Sequence, residues 1–131
     1  MKIEVCTCKL SVECIAAIDA LRTQIFKIFK NHFGFADQSS AALVVPESTV
    51  AHRGTHNALC HVVITGMSAT PERTPEIIGD ARQEIEDLYA KTITRHPGAD
   101  LPVSLYVAFQ LDCALPNGSN LVEPKTTRTI T

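Results

Sequence analysis

One pattern occurs twice in this chain and restricts its fold more than any other feature. Residues alternate at period two, an apolar stripe then recurs every three or four residues, and alternation returns. Period two marks a strand with two distinct faces, and the longer period marks one side of a helix. In the first round, residues 3–8 put Ile3 and Val5 on one face and Glu4, Cys6 and Cys8 on the other. Ser11 stands where a side-chain oxygen can cap a helix. Ile15, Ile18, Leu21 or Arg22, Ile25, Phe29 and Phe33 predict one helix of about 20 residues, ended by Asn31, His32 and Gly34. Residues 41–45 then predict a short strand that stops at Pro46.

The second round opens with a polar loop or hairpin at residues 52–56 and a strand over 59–65. Cys60, Val62 and Ile64 share one side of that strand, and Leu59, His61 and Val63 the other. Thr70-Pro71 and Thr74-Pro75 compete as helix starts, since each offers a capping hydroxyl and a proline that needs no internal amide bond. The second is the firmer boundary. The stripe Ile77, Ile78, Ala81, Ile85, Leu88, Tyr89 and Thr92 or Ile93 follows, with Asp80, Glu84, Glu86 and Asp87 on the expected wet side. His96-Pro97-Gly98 ends the helix, and residues 101–111 return to a strand.

Two β-α-β units with right-handed crossovers predict an α+β fold, a four-stranded mixed sheet with two helices on one face. Cys6, Cys60, Ala108 and Tyr106 are expected on the other face, which a symmetric oligomer would cover. The domain is expected over residues 1–113. Residues 114–131, rich in threonine, form a carboxy-terminal arm that drapes over a neighbour or stays mobile.

Composition narrows the functional classes. With 45% hydrophobic residues in 131, the chain can bury a core and is not a disordered acidic segment. A net charge of −2 argues against a nucleic-acid binder built on a broad basic face. An RNA-recognition module shares the βαββαβ order, but these strands lack its aromatic and basic base-stacking residues. The opening MKIEVCTCKL lacks a secretory pattern and no apolar run reaches membrane-spanning length, which predicts a cytoplasmic setting without membrane attachment. Five cysteines leave at least one unpaired in a monomer, and Cys6 and Cys8 do not have the spacing of a redox or zinc motif. Cys6, Cys8, Cys60 and His61 do not prescribe a tetrahedral site either, so no metal and no cofactor are expected.

The strand HNALCHVVITGMSA at residues 56–69, running into TPERTPEIIGDARQEIEDLYAKTI, resembles the tautomerase superfamily. Within it the chain looks most similar to the group of 5-carboxymethyl-2-hydroxymuconate isomerase and macrophage migration inhibitory factor. The first strand, its helix and SLYVAFQLD at 104–112 fit the same plan, so the likeness covers residues 2–112. It implies a homotrimer whose sheets enclose a central space. It also implies keto–enol tautomerisation of a small acidic compound by an amino-terminal proline, with arginines binding the acid. Here the chain departs from the family. It begins Met1-Lys2, the bulky Lys2 disfavours removal of Met1, residues 42–45 carry no arginine, and Thr70 stands near the loop arginine's place, with Arg73 three residues on.

The amine of Met1 is then the candidate base, since an amino terminus has a pKa near 8 that a pocket can lower. Lys2, Arg53, His56, Arg73 and Tyr106 are the candidate substrate contacts. An arginine can hold a carboxylate through two parallel N–H bonds, and a histidine exchanges a proton near neutral pH. The leading expectation is a divergent tautomerase with an atypical amino-terminal base. The alternatives are a catalytically inactive ligand-binding or assembly protein on the same scaffold, and a ferredoxin-like regulatory domain.

Overall fold

The computed structural model describes residues 2–34, 43–46 (backbone alone), 58–68, 70–96, 102–115 and 118–131. Strand β1 (Lys2–Cys8) lies between β2 (Leu43–Pro46), to which it is parallel, and β3 (Ala58–Met67), to which it is antiparallel. Strand β3 pairs in parallel with β4 (Val103–Leu111), so the four strands of the two units run in the order β2-β1-β3-β4. The fold is α+β, a mixed sheet with helices on one face. The two strands of each unit are immediate neighbours. A split βαβ, the plan of ferredoxin-like domains, separates them by another strand, and the strand order excludes that alternative.

The first crossover is not one helix. It breaks into α1 (Val12–Asp19) and α2 (Arg22–Phe33). At the break the amide of Leu21 bonds to the carbonyl of Ile18 at 3.1 Å, a tightened turn, and the amide of Ile25 resumes the helical pattern on Leu21. Ile18, Leu21 and Ile25 are all buried on either side of this tightened turn. The stripe itself begins one residue earlier than expected, at fully buried Cys14 rather than Ile15. Ser11 caps α1 through its hydroxyl, which accepts from the amide of Cys14 at 3.1 Å. Gly34 closes α2 with φ 72°, the left-handed conformation that favours glycine at this position.

The second crossover is α3 (Pro75–Arg95), capped by the Thr74 hydroxyl with Pro75 in the first turn. This is the second of the two starts read from the sequence. His96 follows as its C-cap. None of the described helices is long and apolar enough to cross a membrane.

Alternation along the strands supplies the sheet's half of the core. Ile3 and Val5 of β1, Cys60, Val62 and Ile64 of β3, and Leu105, Val107 and Phe109 of β4 are all buried against the helices. Cys60 was expected on the other sheet face with Cys6, but it belongs to the helix side. It pairs in register with Thr7 and Leu105, and its neighbours in the thiol's electrostatics include Cys14. Phe29 contacts Phe109 edge to face at a centroid separation of 6.2 Å and Phe33 at 6.1 Å. His32 Nε2 lies 2.6 Å from Glu84 Oε2 and ties α2 to α3.

The arm folds back on its own sheet. Short strands β5 (Leu121–Val122) and β6 (Arg128–Ile130) both run antiparallel to β4, opposite its two ends. This placement overturns one expectation about α3. Glu86 was assigned to the wet side, yet it is only 5% exposed and Arg82 only 7%. Arg82 Nη1 donates to Glu86 Oε1 at 3.0 Å and to the carbonyl of Val107 at 3.2 Å, and Arg128 from β6 reaches Glu86 Oε2 at 3.5 Å and Asp87 Oδ1 at 2.8 Å. A buried carboxylate with this many donors is tolerable where an unpaired one would not be.

Phe29 joins α2 to β4 and is fully buried. Phe29→Ala should therefore cost about 3–5 kcal/mol, the range for emptying a buried ring site, measured by urea denaturation with an unchanged slope. A loss under about 1 kcal/mol would show that the aromatic cluster does not hold the helix layer to the sheet.

Candidate functional site

The sheet face away from the helices carries the chemistry read from the sequence, arranged in rows by strand register. The row nearest the start of β1 contains Lys2, Thr65 and Gln110. The next contains Glu4, Val63 and Ala108, and the third Cys6, His61 and Tyr106. Successive rows are two residues apart, roughly 6–7 Å along the strands.

At the Lys2 end the chain turns from β3 into α3. Gly66 adopts φ 86° where the register of β3 shifts between Thr65 and Met67. Such a bulge re-aims a strand, and its positive φ suits glycine. The amide of Asp112 bonds to the carbonyl of Met67 at 3.1 Å, fastening the end of β4 to this junction. The amide of Arg73 bonds back to the carbonyl of Thr70, and its guanidinium donates from Nη1 to the carbonyl of Ser68 at 3.0 Å. Arg73 is thus folded onto the β3–α3 junction, at the same end of the sheet as Lys2. The ammonium of Lys2 lies 2.9 Å from Glu4 Oε1, with both side chains about half exposed (47% and 52%). In water such a pair contributes little stability, and the ammonium stays open to a ligand.

Two rows further on, Tyr106 is half-buried and its hydroxyl donates to Glu123 Oε2 at 2.6 Å. Its ring packs on His61 with centroids 5.6 Å apart. Burial first, then the hydrogen bond to the Glu123 carboxylate and that group's charge, push the Tyr106 phenol up to about 12, against a smaller opposite pull from Arg82. Tyr106 is therefore a hydrogen-bond donor at ordinary pH. Cys6 stands directly across from His61 in the β1–β3 ladder.

Of the sequence-predicted contacts, Lys2 and Arg73 share one end of the sheet and Tyr106 sits nearer its middle. Met1, Arg53 and His56 lie outside the described residues, as does His52. Sequence reasoning missed Glu123, because nothing in the arm's pattern showed that it returns to β4. His61 was visible as an alternating strand residue; its partnership with Tyr106 follows from the parallel register. The four groups weighed for a metal do not gather, since Cys60 faces the helices while Cys6, Cys8 and His61 lie on the other side. Among the described residues, no three histidine, cysteine or acidic side chains are placed to hold a metal ion. Burial, with smaller contributions from Cys14 and Cys6, pushes the Cys60 thiol up to about 12, so it is a neutral core group.

No family model matches the chain, and no curated protein matches it in sequence. Among solved structures, the crystal structure of native Ps01740 is similar with a TM-score of 0.51 at 20% identity, covering 80% of this chain and 91% of that one. At that identity the likeness extends to the fold, a small α+β domain with a mixed sheet and helices on one face.

The chain's two tyrosines are Tyr89, whose phenol is strongly raised by burial, and Tyr106. A spectrophotometric titration of the folded protein should show neither ionising at the ordinary value near 10. Because the folded pKa of Tyr106 lies above the unfolded one, its contribution to stability is complete below about pH 10 and is lost as pH rises toward about 12. Tyr106→Phe should lessen that alkaline loss. A full tyrosine ionising near pH 10 in the native protein would contradict the Tyr106–Glu123 bond.

Proposed function

We propose that this protein is a divergent tautomerase, with a small acidic keto–enol compound binding at the end of the sheet where β1 begins. The amine of Met1 removes a proton from the carbon beside the substrate carbonyl and returns it at the other end of the enolate. Lys2 and Arg73 draw the substrate's acid group and offset the charge that develops on oxygen. Arg53, His56 and Tyr106 are further contacts, Tyr106 as a donor. The working assembly is a homotrimer with the helix-free sheet faces turned inward.

One observation carries this reading. Lys2, at the start of β1, is paired on both sides, with Leu43 of β2 and Thr65 of β3, so β1 begins in the interior of the sheet rather than at an edge. The β3–α3 junction that holds Arg73 closes the same end. The cations at that end would disfavour the charged form of an amine acting there, which suits a base working near neutral pH. The Lys2–Glu4 pair favours the second reading, a scaffold that binds without turnover, because Glu4 partly neutralises the cation nearest the proposed base.

Two measurements test the proposal. Solution mass should be three times the chain mass; a single-chain mass across a wide concentration range would sink the trimer. An α-keto acid whose enol absorbs in the ultraviolet should be interconverted, with loss of more than tenfold on selective acetylation of the amino terminus, the scale of one acid–base group. Undiminished activity after complete acetylation would remove Met1 from the mechanism, and inactivity across a panel of keto acids would leave the scaffold reading.

A further inference from the structure

We infer that the space between α3 and the carboxy-terminal arm is a binding site for a small organic carboxylate, separate from the Lys2 end of the sheet. The arm does not follow β4 continuously. β5 pairs with Phe109 and Gln110, and β6 with Val103, Ser104 and Leu105. Residues 123–127 of the arm therefore stand opposite 106–108 of β4 without pairing to them. The chain arches here, and the Val107 carbonyl, left without a strand partner from the arm, accepts from Arg82 instead. Under the arch is an open cavity of about 540 Å³, in the size range of small-molecule sites. Its α3 wall includes Gly79, Arg82 and Glu86, and its arm wall includes Val122, Lys125 and Arg128.

The charges in this space are unevenly satisfied. Glu86 receives Arg82, Gln83 and Arg128, and Glu123 receives the Tyr106 hydroxyl. Both carboxylates of the lining are therefore engaged. The cations have donors to spare. Among the described residues Lys125 has no ion pair, and Arg128 makes its bonds through Nη1 alone, leaving Nε and Nη2. That remaining edge of a guanidinium is the fork that takes a carboxylate through two parallel bonds. Val122 and Pro124 supply an apolar surface for an organic stem.

Gly79 is the independent sign that the space is kept open. It lies inside α3 with no positive φ, and a Cβ built there would meet nothing within 4 Å. Neither backbone conformation nor packing requires glycine at this place, and a helix interior is less stable with it than with alanine. A side chain here would project toward the cavity, so the absence of one preserves room for a ligand.

Titrating the full chain with acetate, succinate or benzoate against chloride at equal ionic strength, followed by amide NMR, tests the site. At least one carboxylate should give saturable shifts centred on residues 79–86 and 122–128, binding at least tenfold tighter than chloride. Gly79→Leu fills the space and should abolish the shifts while leaving the melting temperature at or above that of the parent. Lys125→Gln, on the exposed arm, should weaken binding about tenfold, the effect of losing one charge-assisted contact. Keto–enol exchange by the Gly79→Leu protein should be unchanged, which separates this site from the proposed active end. Absence of saturable shifts with all three carboxylates would overturn the inference. So would shifts confined to the Lys2 end, shifts that survive both substitutions, or equal binding of inorganic phosphate.

Discussion

Everything else in the structure depends on the double pairing of β1. Its parallel bonds to β2 hold one β-α-β unit together, and its antiparallel bonds to β3 join that unit to the next. A strand's faces alternate residue by residue, so slipping β1 by one position would bring Lys2 and Glu4 to the helices and Ile3 and Val5 to the opposite face. The buried stripes of α1, α2 and α3 make that slip untenable. The same register aligns Cys6, His61 and Tyr106 in one row and puts Lys2 at the end closed by the β3–α3 junction.

The arm has a second role that its composition conceals. By adding β5 and β6 to β4 it covers an edge that would otherwise offer unpaired backbone groups to another chain. Its docking is electrostatic as well as strand-like. Arg128 meets Glu86 and Asp87 of α3, and Glu123 meets Tyr106 of β4, so two oppositely charged residues of the arm anchor to different layers of the fold. Arg82, buried beneath, connects those layers by bonding both Glu86 and Val107.

Elements and their order were legible because each has a local physical cause. Ser11 and Thr74 cap helices through their own hydroxyls, Gly34 ends one with a positive φ, and the strands alternate cleanly wherever one face meets the helices. Less was legible where two distant segments meet. The apolar spacing runs through Leu21 without signalling the break there, and Glu86 looked like a surface acid because the arm that buries it lies far along the chain. Cys60 shows the same limit: its alternation with Val62 and Ile64 was readable, but the side it took depended on how β3 was registered against β1.

For the candidate site the division is sharper. The presence of Lys2, Arg73 and Tyr106 could be seen in the sequence, as could the types of chemistry those groups support. Their arrangement could not, since Lys2 and Arg73 are separated by the rest of the first unit and by β3, and come to one end only through the antiparallel β1–β3 ladder. The sequence by itself determined two β-α-β units, their caps and their apolar faces, because periodicity and capping act over a few neighbouring residues. Only the tertiary structure decided the strand order, the Cys6–His61–Tyr106 row with its Glu123 partner and the cavity beneath the arm, because these come from pairing and burial between segments that no local pattern connects.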